Sequence, residues 1–282
     1  MARNVLRLPG NFTLEELKQK AKWVRQQVLE MCLVAGAGHI APAYSATEIF
    51  VALYHGGFLR IDPKNPAWED RDRFILSKGQ ACAALYAVLA DLGFFPVSEL
   101  QTYTSVGSRL GGHSESNIPG VEAFTGSLGH GLPMSVGIAL AAKMDGKDYL
   151  SVALLGDGEC QEGSVWEAAM LAAHHELDNL IILVDRNSLQ ATNLTEDAVS
   201  LEPFDRKWEA FGWDVAQIDG HSFSQILTTL NSLKSQRSGR PKVVIARTTK
   251  GKGISYMENK PIWHYRVPGS KEEIEQARKE LA

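Results

Sequence analysis

Cysteine is scarce. The chain has three, Cys32, Cys82 and Cys160, scattered and odd in number, which excludes a disulfide framework and a Cys-x-x-Cys metal pattern. Cys160, close to a glycine turn, reads as a small buried residue. No apolar run reaches membrane length, and the opening MARNVLRLPGNF lacks a signal-peptide core, so the reading is a cytoplasmic protein with no membrane partner. An excess of one charge is also missing: 29 Lys and Arg against 33 Asp and Glu give a net charge of −4 and no electrostatic case for nucleic acid. Internal repeats and low-complexity tracts are absent. What is present is ordinary for a globular protein, 44% hydrophobic and 22% charged residues, and the length suffices for one domain spanning 1–282 with a sizeable core.

The most organised stretch is YLSVALLGDGECQEGSVWEAAMLAAHHELDNLIILVDRNSLQ, residues 149–190. Residues 150–155 and 180–184 are apolar without polar alternation, as in strands buried on both faces. The Ala-rich segment between them has Val165, Ala168, Ala169, Ala172 and Ala173 at helical spacing and is long enough for the crossover that parallel strands require. This is a βαβ unit, and the wider alternation of strands and helices predicts an α/β fold, a doubly wound, mostly parallel sheet with helices on both faces. Right-handed crossover places the Gly156-Asp157-Gly158 turn and Asn187 at the same sheet edge, where open α/β sheets bind ligands. The Asp157 carboxylate, the Asn187 amide oxygen and the carbonyl of Leu189 are hard oxygen donors that suit Mg²⁺, or Ca²⁺, with positions left for phosphate oxygens and water. Two glycines allow close approach of a diphosphate, and the helix N-terminus that follows favours its charge.

The rest of the chain supplies candidates facing that edge. Thr13 and Glu16 predict a capping box for a helix over 14–33. His39 follows the hinge Ala35-Gly36-Ala37-Gly38, with Pro42 closing the loop, and is placed to meet a ligand. A second helix is expected over 45–59. Residues 73–77 read as a strand that feeds Lys78-Gly79-Gln80 and a helix over 81–92. Residues 110–120, polar and Gly-rich around His113, read as a mobile loop over a site. Gly126 to Gly131 precede a helix over 133–142 and can bring backbone N–H groups to a phosphate. His174 and His175 are read as solvated, and His221 as a structural cap for a helix over 223–233. A loop over 249–269 is long enough to be functional, and 271–281 is a closing helix.

These motifs, GHIAPAYSATEIFVALY, DRDRFILSKGQ, GGHSE, PGVEAFTGSLGHGLPMSVGIALAAK and GDGECQEGSVWEAAMLAA, are similar to the N-terminal half of the transketolase family. The resemblance runs over 14–268 and includes the thiamine-diphosphate pattern of GDG followed by Asn. It implies that Asp157, Asn187 and the Leu189 carbonyl hold the cofactor's Mg²⁺, that Gly126, Leu128, Gly156, Gly158, Glu159 and His264 line the cofactor, and that His39, His113 and His264 act on substrate and proton. Glu162 and Glu167 match glutamates at the interface between catalytic units. Ala41 replaces a glycine of the family's GHxG loop, His130 replaces a common Gln, and Gln80 replaces the histidine of SKGH. Gln80 is thereby a substrate contact that hydrogen-bonds without titrating.

In transketolases the pyrimidine pocket and its activating glutamate lie in a second domain, which this chain lacks. The resemblance therefore implies a split enzyme: this chain binds thiamine diphosphate, and a C-terminal subunit supplies the pyrimidine-binding domain, with two copies of each. The reaction implied is transfer of a two-carbon ketol unit from a ketose phosphate such as xylulose 5-phosphate to an aldose phosphate. The alternatives are half of another thiamine-diphosphate enzyme, such as the α subunit of a 2-oxoacid dehydrogenase, a transketolase for an unusual sugar, or a non-catalytic subunit that retains the fold.

Overall fold

A strand that is apolar on both faces belongs between two layers, and the computed structural model, which describes residues 12–282, places each such strand there. Residues 1–11, most of the stretch read above for a leader, lie outside the described residues. In chain order the elements are α1 (Leu14–Ala35), α2 (Ile40–Ser45), α3 (Thr47–Tyr54), β1 (Arg73–Leu76), α4 (Cys82–Asp91), α5 (Gly131–Met144), β2 (Ser151–Gly156), α6 (Gly163–His174), β3 (Leu180–Arg186), α7 (Thr195–Ala198), α8 (Phe204–Ala210), β4 (Asp214–Asp219), α9 (Phe223–Ser235), β5 (Lys242–Arg247) and α10 (Lys271–Glu280). The strands form one parallel sheet in the order β1-β2-β3-β5-β4. Among the described residues no helix is long and apolar enough to cross a membrane.

The pleat divides the core in two. Val152, Leu154, Ile181, Leu183 and Val244 face one layer, built on α1, α3, α4 and α9. Ala153, Leu155, Ile182, Val184 and Ile245 face the other, built on α5, α6 and α8. Each fully buried aliphatic side chain contributes about 1.5–3 kcal/mol. The capping box of Thr13 and Glu16 opens α1, and Gly36, at φ 65°, closes it in a left-handed conformation that glycine adopts without strain.

The helix expected over 45–59 is different. Helix begins at Ile40, breaks at Ala46 and ends at Tyr54. Pro42 does not close a loop; it sits in the first turn of α2, where its missing N–H has no intrahelical partner to lose. Residues 110–120 are held rather than free: the Tyr86 hydroxyl donates to the His113 carbonyl at 2.8 Å, and Thr125 N donates to the Ser114 carbonyl at 3.1 Å. Ser222, not His221, caps α9, its side chain accepting from Gln225 N.

One buried ion pair joins the strand ends. Asp185, in β3 and fully enclosed, meets the ammonium of Lys78, itself 1% exposed, just past β1. Ser45 Oγ donates to Asp185 Oδ2 at 2.5 Å, Thr248 Oγ1 donates to its other oxygen, and Lys78 Nζ also reaches the Pro42 carbonyl at 3.0 Å. Burial pushes the Asp185 carboxyl up, but the Lys78 charge and the hydrogen bonds from Lys78, Ser45 and Thr248 outweigh it and hold the carboxyl below its ordinary range. Removing one partner of such a pair leaves a buried charge unmatched. Lys78→Met is expected to lose about 3–5 kcal/mol of stability, and Lys78→Met with Asp185→Leu to recover most of it. Urea unfolding midpoints of both variants, read with unchanged slopes, check this; equal midpoints for wild type and Lys78→Met would contradict it.

Candidate active site

Register alone brings the two halves of the expected oxygen site together. Gly156 pairs with Asp185 across β2 and β3, so Asp157 and Asn187 leave adjacent strands at the same edge. Asp157 Oδ2 accepts from Arg186 Nη1 at 3.1 Å and from Ser188 N at 2.5 Å, and its Oδ1 from Gly158 N at 2.8 Å. Ser188, at φ 63°, turns the chain back through a left-handed conformation uncommon for a residue with a side chain. That turn brings Leu189 N to Asn187 Oδ1 at 3.1 Å and leaves the Leu189 carbonyl facing inward. Burial and the nearby Asp185 raise the Asp157 carboxyl against the opposing Arg186 and backbone N–H groups.

These groups line a cleft of about 370 Å³, within the range of small-molecule sites. His39, Gln80, His113, Gly126, Leu128, Gly156, Gly158, Glu159, Glu162 and His264 line it as well. Stretches far apart in sequence thus meet at one edge. Glu167 does not reach the cleft; it is exposed on α6, as are Met170 and Leu171. His130 is exposed, and His174 and His175 pack edge-on to each other at the end of α6. A separate concavity of about 390 Å³ beyond Arg186 contains none of the residues singled out in the sequence.

Two of the three imidazoles pack against the third, His39. His39 lies 5.4 Å from His113 and 5.5 Å from His264 between ring centroids, and 4.7 Å from Tyr265. Its Nδ1 is buried without a partner. Gly126, at φ 132°, is required here: a Cβ would meet the His113 ring at 3.1 Å. Burial, with His113 and Lys250 adding to it, pulls the His39 ring down to about 4. Burial, then Lys250, His39 and Lys78, pull His264 down to about 3. Burial lowers His113 as well. All three are neutral at pH 7 and serve as hydrogen-bonding groups rather than fixed charges.

Sequence reasoning missed the two lysines. Lys250, 2% exposed, donates to the carbonyls of Leu189 at 3.0 Å and Gln190 at 3.1 Å and to His264 Nδ1 at 2.8 Å. Burial, then the Lys78 charge, brings its ammonium down to about 8. Lys78 anchors Asp185. Each follows a strand and precedes a glycine, Lys78-Gly79 and Lys250-Gly251, a signal visible in the sequence beside the motifs that were used. Glu159 is also more than a helix-start acid. Its buried carboxylate accepts from Ser77 Oγ, from Gly129 N at 3.0 Å and from Gly156 N at 3.0 Å, and so ties the 126–131 loop to the Gly-Asp-Gly turn.

The residues fit a cofactor-borne cation. Among the described residues no three His, Cys, Asp or Glu side chains converge as a metal cage. A divalent ion here would therefore take one carboxylate, one amide oxygen and one carbonyl and complete its shell with ligand and water oxygens, as Mg²⁺ does at phosphate sites. The buried Lys78 and Lys250 add positive charge that an anionic group offsets.

The family model described as "Transketolase, thiamine diphosphate binding domain" matches residues 17–282. The chain is 44% identical over 275 residues to a subunit of apulose-4-phosphate transketolase from Actinobacillus succinogenes, covering 97% of this chain and 98% of that one. It is 40% identical over 250 residues to the 6-deoxy-6-sulfo-D-fructose transketolase subunit SqwG of a Clostridium species, covering 88% and 90%. Its fold is similar to the crystal structure of transketolase from Campylobacter jejuni, with a TM-score of 0.89 and 32% identity, covering 96% of this chain and 43% of that one. The chain thus spans less than half the length of that single-chain relative.

The depressed imidazoles link the site to stability. Below their ordinary value near 6.5 the unfolded chain takes up protons that folded His39 refuses until about pH 4 and His264 until about pH 3. Stability present at pH 7 is accordingly lost as the pH falls through that window, by at most about 1.4 kcal/mol per pH unit for each ring. Unfolding measured at pH 7, 6 and 5 is expected to show this decline, and His39→Gln to make it shallower; a flat profile would contradict the depressed values.

Proposed function

We propose, on the premise that this chain belongs to the transketolase family through its thiamine-diphosphate-binding domain, that residues 1–282 act as the diphosphate-binding subunit of a two-chain transketolase. The observation that carries this is the meeting, in one cleft, of the Gly156-Asp157-Gly158 turn, the Asn187–Leu189 turn and the three neutral imidazoles. The partner would be a C-terminal subunit with the pyrimidine-binding domain and its activating glutamate, two copies of each chain making the enzyme. Near-complete coverage of relatives named as subunits supports this division. So do the exposed Phe124, Ile262 and Tyr265, which flank the cleft residues Gly126 and His264 and offer apolar surface to a partner.

Thiamine diphosphate, when bound, supplies the electron sink for cleaving the bond beside a ketose carbonyl. Asp157, Asn187 and the Leu189 carbonyl would hold its Mg²⁺, while Gly126, Leu128, Gly156, Gly158 and Glu159 shape the cradle. Lys250 donates to His264 Nδ1, so His264 keeps its proton on Nε2 and presents a donor. His39, which lines the cleft and packs edge-on against His113, would take a proton from a sugar hydroxyl. Glu162 at the cleft edge and Glu167 outside it would meet a second catalytic unit.

Gln80 favours a second reading of the sugar. An amide at this position hydrogen-bonds a hydroxyl without moving a proton, which suits a branched or sulfonated ketose over xylulose 5-phosphate. The relatives named for apulose-4-phosphate and 6-deoxy-6-sulfo-D-fructose support that direction.

The chain purified with the partner it retains from its host should form a ketol-transfer product that depends on thiamine diphosphate and Mg²⁺, while the chain alone stays silent. Turnover is to be assayed by product chromatography with xylulose 5-phosphate, a branched ketose phosphate and a sulfonated ketose as donors and ribose 5-phosphate as acceptor. Appreciable turnover by the isolated chain would sink the split assignment. Asp157→Ala should weaken Mg²⁺-dependent cofactor binding by more than the roughly 10–100-fold typical of losing an outer partner, measured by quenching of protein fluorescence. Unchanged binding would remove Asp157 from the metal set.

A further inference from the structure

Outside the cleft, a chain of buried and half-buried polar groups runs from α1 to the loop that carries Lys250 and His264. Arg25 Nη2 donates to Glu48 Oε2 at 2.7 Å, and His221 Nδ1 meets the same oxygen at 2.9 Å. Thr249 N donates to His221 Nε2 at 2.8 Å. A backbone N–H can only donate, so Nε2 accepts and the proton of a neutral His221 must sit on Nδ1, where Glu48 accepts it. The Arg25 charge and the hydrogen bonds from His221 and Arg25 overcome the effect of burial and hold the Glu48 carboxyl at about 2, so it stays ionised. His221 is fixed on its other side by its own N–H, which donates to Asp219 Oδ1 at 2.9 Å.

Thr248 and Thr249 lie between the end of β5 and Lys250. Thr248 is held by Asp185, and Gly251 N donates to the Ala41 carbonyl at 3.1 Å. At Thr249 the anchor comes from His221, a side chain outside the cleft. One residue on, Lys250 spends its three donors on Leu189, Gln190 and His264. A shift of Thr249 would move the ammonium from all three acceptors together.

We propose that His221 is a positioning residue: locked by Glu48 in its Nδ1–H form, it holds Thr249 N and thereby sets Lys250 on His264, fixing the His264 tautomer. Its kinetic consequence rests on the transferase reading above, whereas the geometry does not.

Two substitutions separate the functions of the ring. His221→Gln keeps an acceptor near the Nε2 position for Thr249 N and gives up the Nδ1 donor to Glu48. His221→Asn keeps a donor near Nδ1 for Glu48 and falls short of Thr249. Nitrogen-15 imidazole spectra of the full chain at pH 7 are the primary readout, with urea midpoints beside them. Wild type is expected to show His221 as the Nδ1–H form and His264 as the Nε2–H form. His221→Gln should leave the His264 signals in place, while His221→Asn moves them toward an averaged tautomer. In the two-chain complex kcat/KM should fall roughly tenfold for His221→Asn, the scale of losing one buried hydrogen bond, and stay within about twofold for His221→Gln. An unchanged His264 spectrum in His221→Asn overturns the proposal. Equal losses in both variants overturn it too, as they would mark His221 as merely structural. A wild-type His221 protonated at Nε2 overturns it without any variant, even if His221→Asn fails to fold. A wild-type complex that shows no ketol transfer counts against the transferase reading alone, because the spectra still decide the relay.

Discussion

The arrangement of the cleft depends on one enclosed carboxylate. Asp185 sits in the middle strand, out of contact with water, and its charge is tolerable only because Lys78, Ser45 and Thr248 converge on it. Those partners come from the end of β1, from α2 and from the end of β5. Satisfying one buried charge therefore draws three chain segments to the same sheet edge. Lys78 continues to the Pro42 carbonyl, which seats α2, and α2 begins immediately after His39. The position of a ring that faces the ligand side of the cleft thus follows from an ion pair behind it.

Electrostatics in the cleft follow from the same economy of charge. Lys78 and Lys250 are both buried, with Asp185 and Asp157 as the nearest acids. Imidazoles placed among cations and out of water lose their affinity for protons, which is why His39 and His264 are neutral well below pH 7. The result is a region prepared for negative charge, lined by groups that hydrogen-bond without adding to the positive excess. A diphosphate with a divalent ion would answer that field, with glycine backbone and buried ammonium as the groups for its phosphates and carboxylate, amide and carbonyl oxygens as those for the ion. Glu159 and Asp157 remain within this region because each is ringed by donors rather than left to burial alone.

Much of this was legible in one dimension. Apolar runs without alternation identified β2 and β3, the Ala-rich spacing identified α6, and parallel pairing then required the Gly-Asp-Gly turn and Asn187 to be neighbours. The boundaries that failed did so for local reasons. Pro42 reads as a loop residue because proline breaks helices in their interior, yet the first turn of α2 has no bond for it to break. The 110–120 segment reads as free because its composition is polar, but the hydroxyl that anchors it belongs to Tyr86, inside an apolar helix where nothing marks it as a loop tether.

What the sequence determined by itself was periodicity and local chemistry: which segments are two-faced strands, where the turn glycines lie, and which oxygens and imidazoles stand at strand ends. These depend on residues a few positions apart. Tertiary structure alone decided who neutralises whom. That Lys78 faces Asp185, that Lys250 uses its donors on two carbonyls and His264, that Glu159 holds the 126–131 loop, and that His221, just ahead of α9, meets Thr249 are outcomes of long-range packing. A buried charge takes whichever partner the fold brings within reach, and residues distant in the chain carry no local mark of that choice.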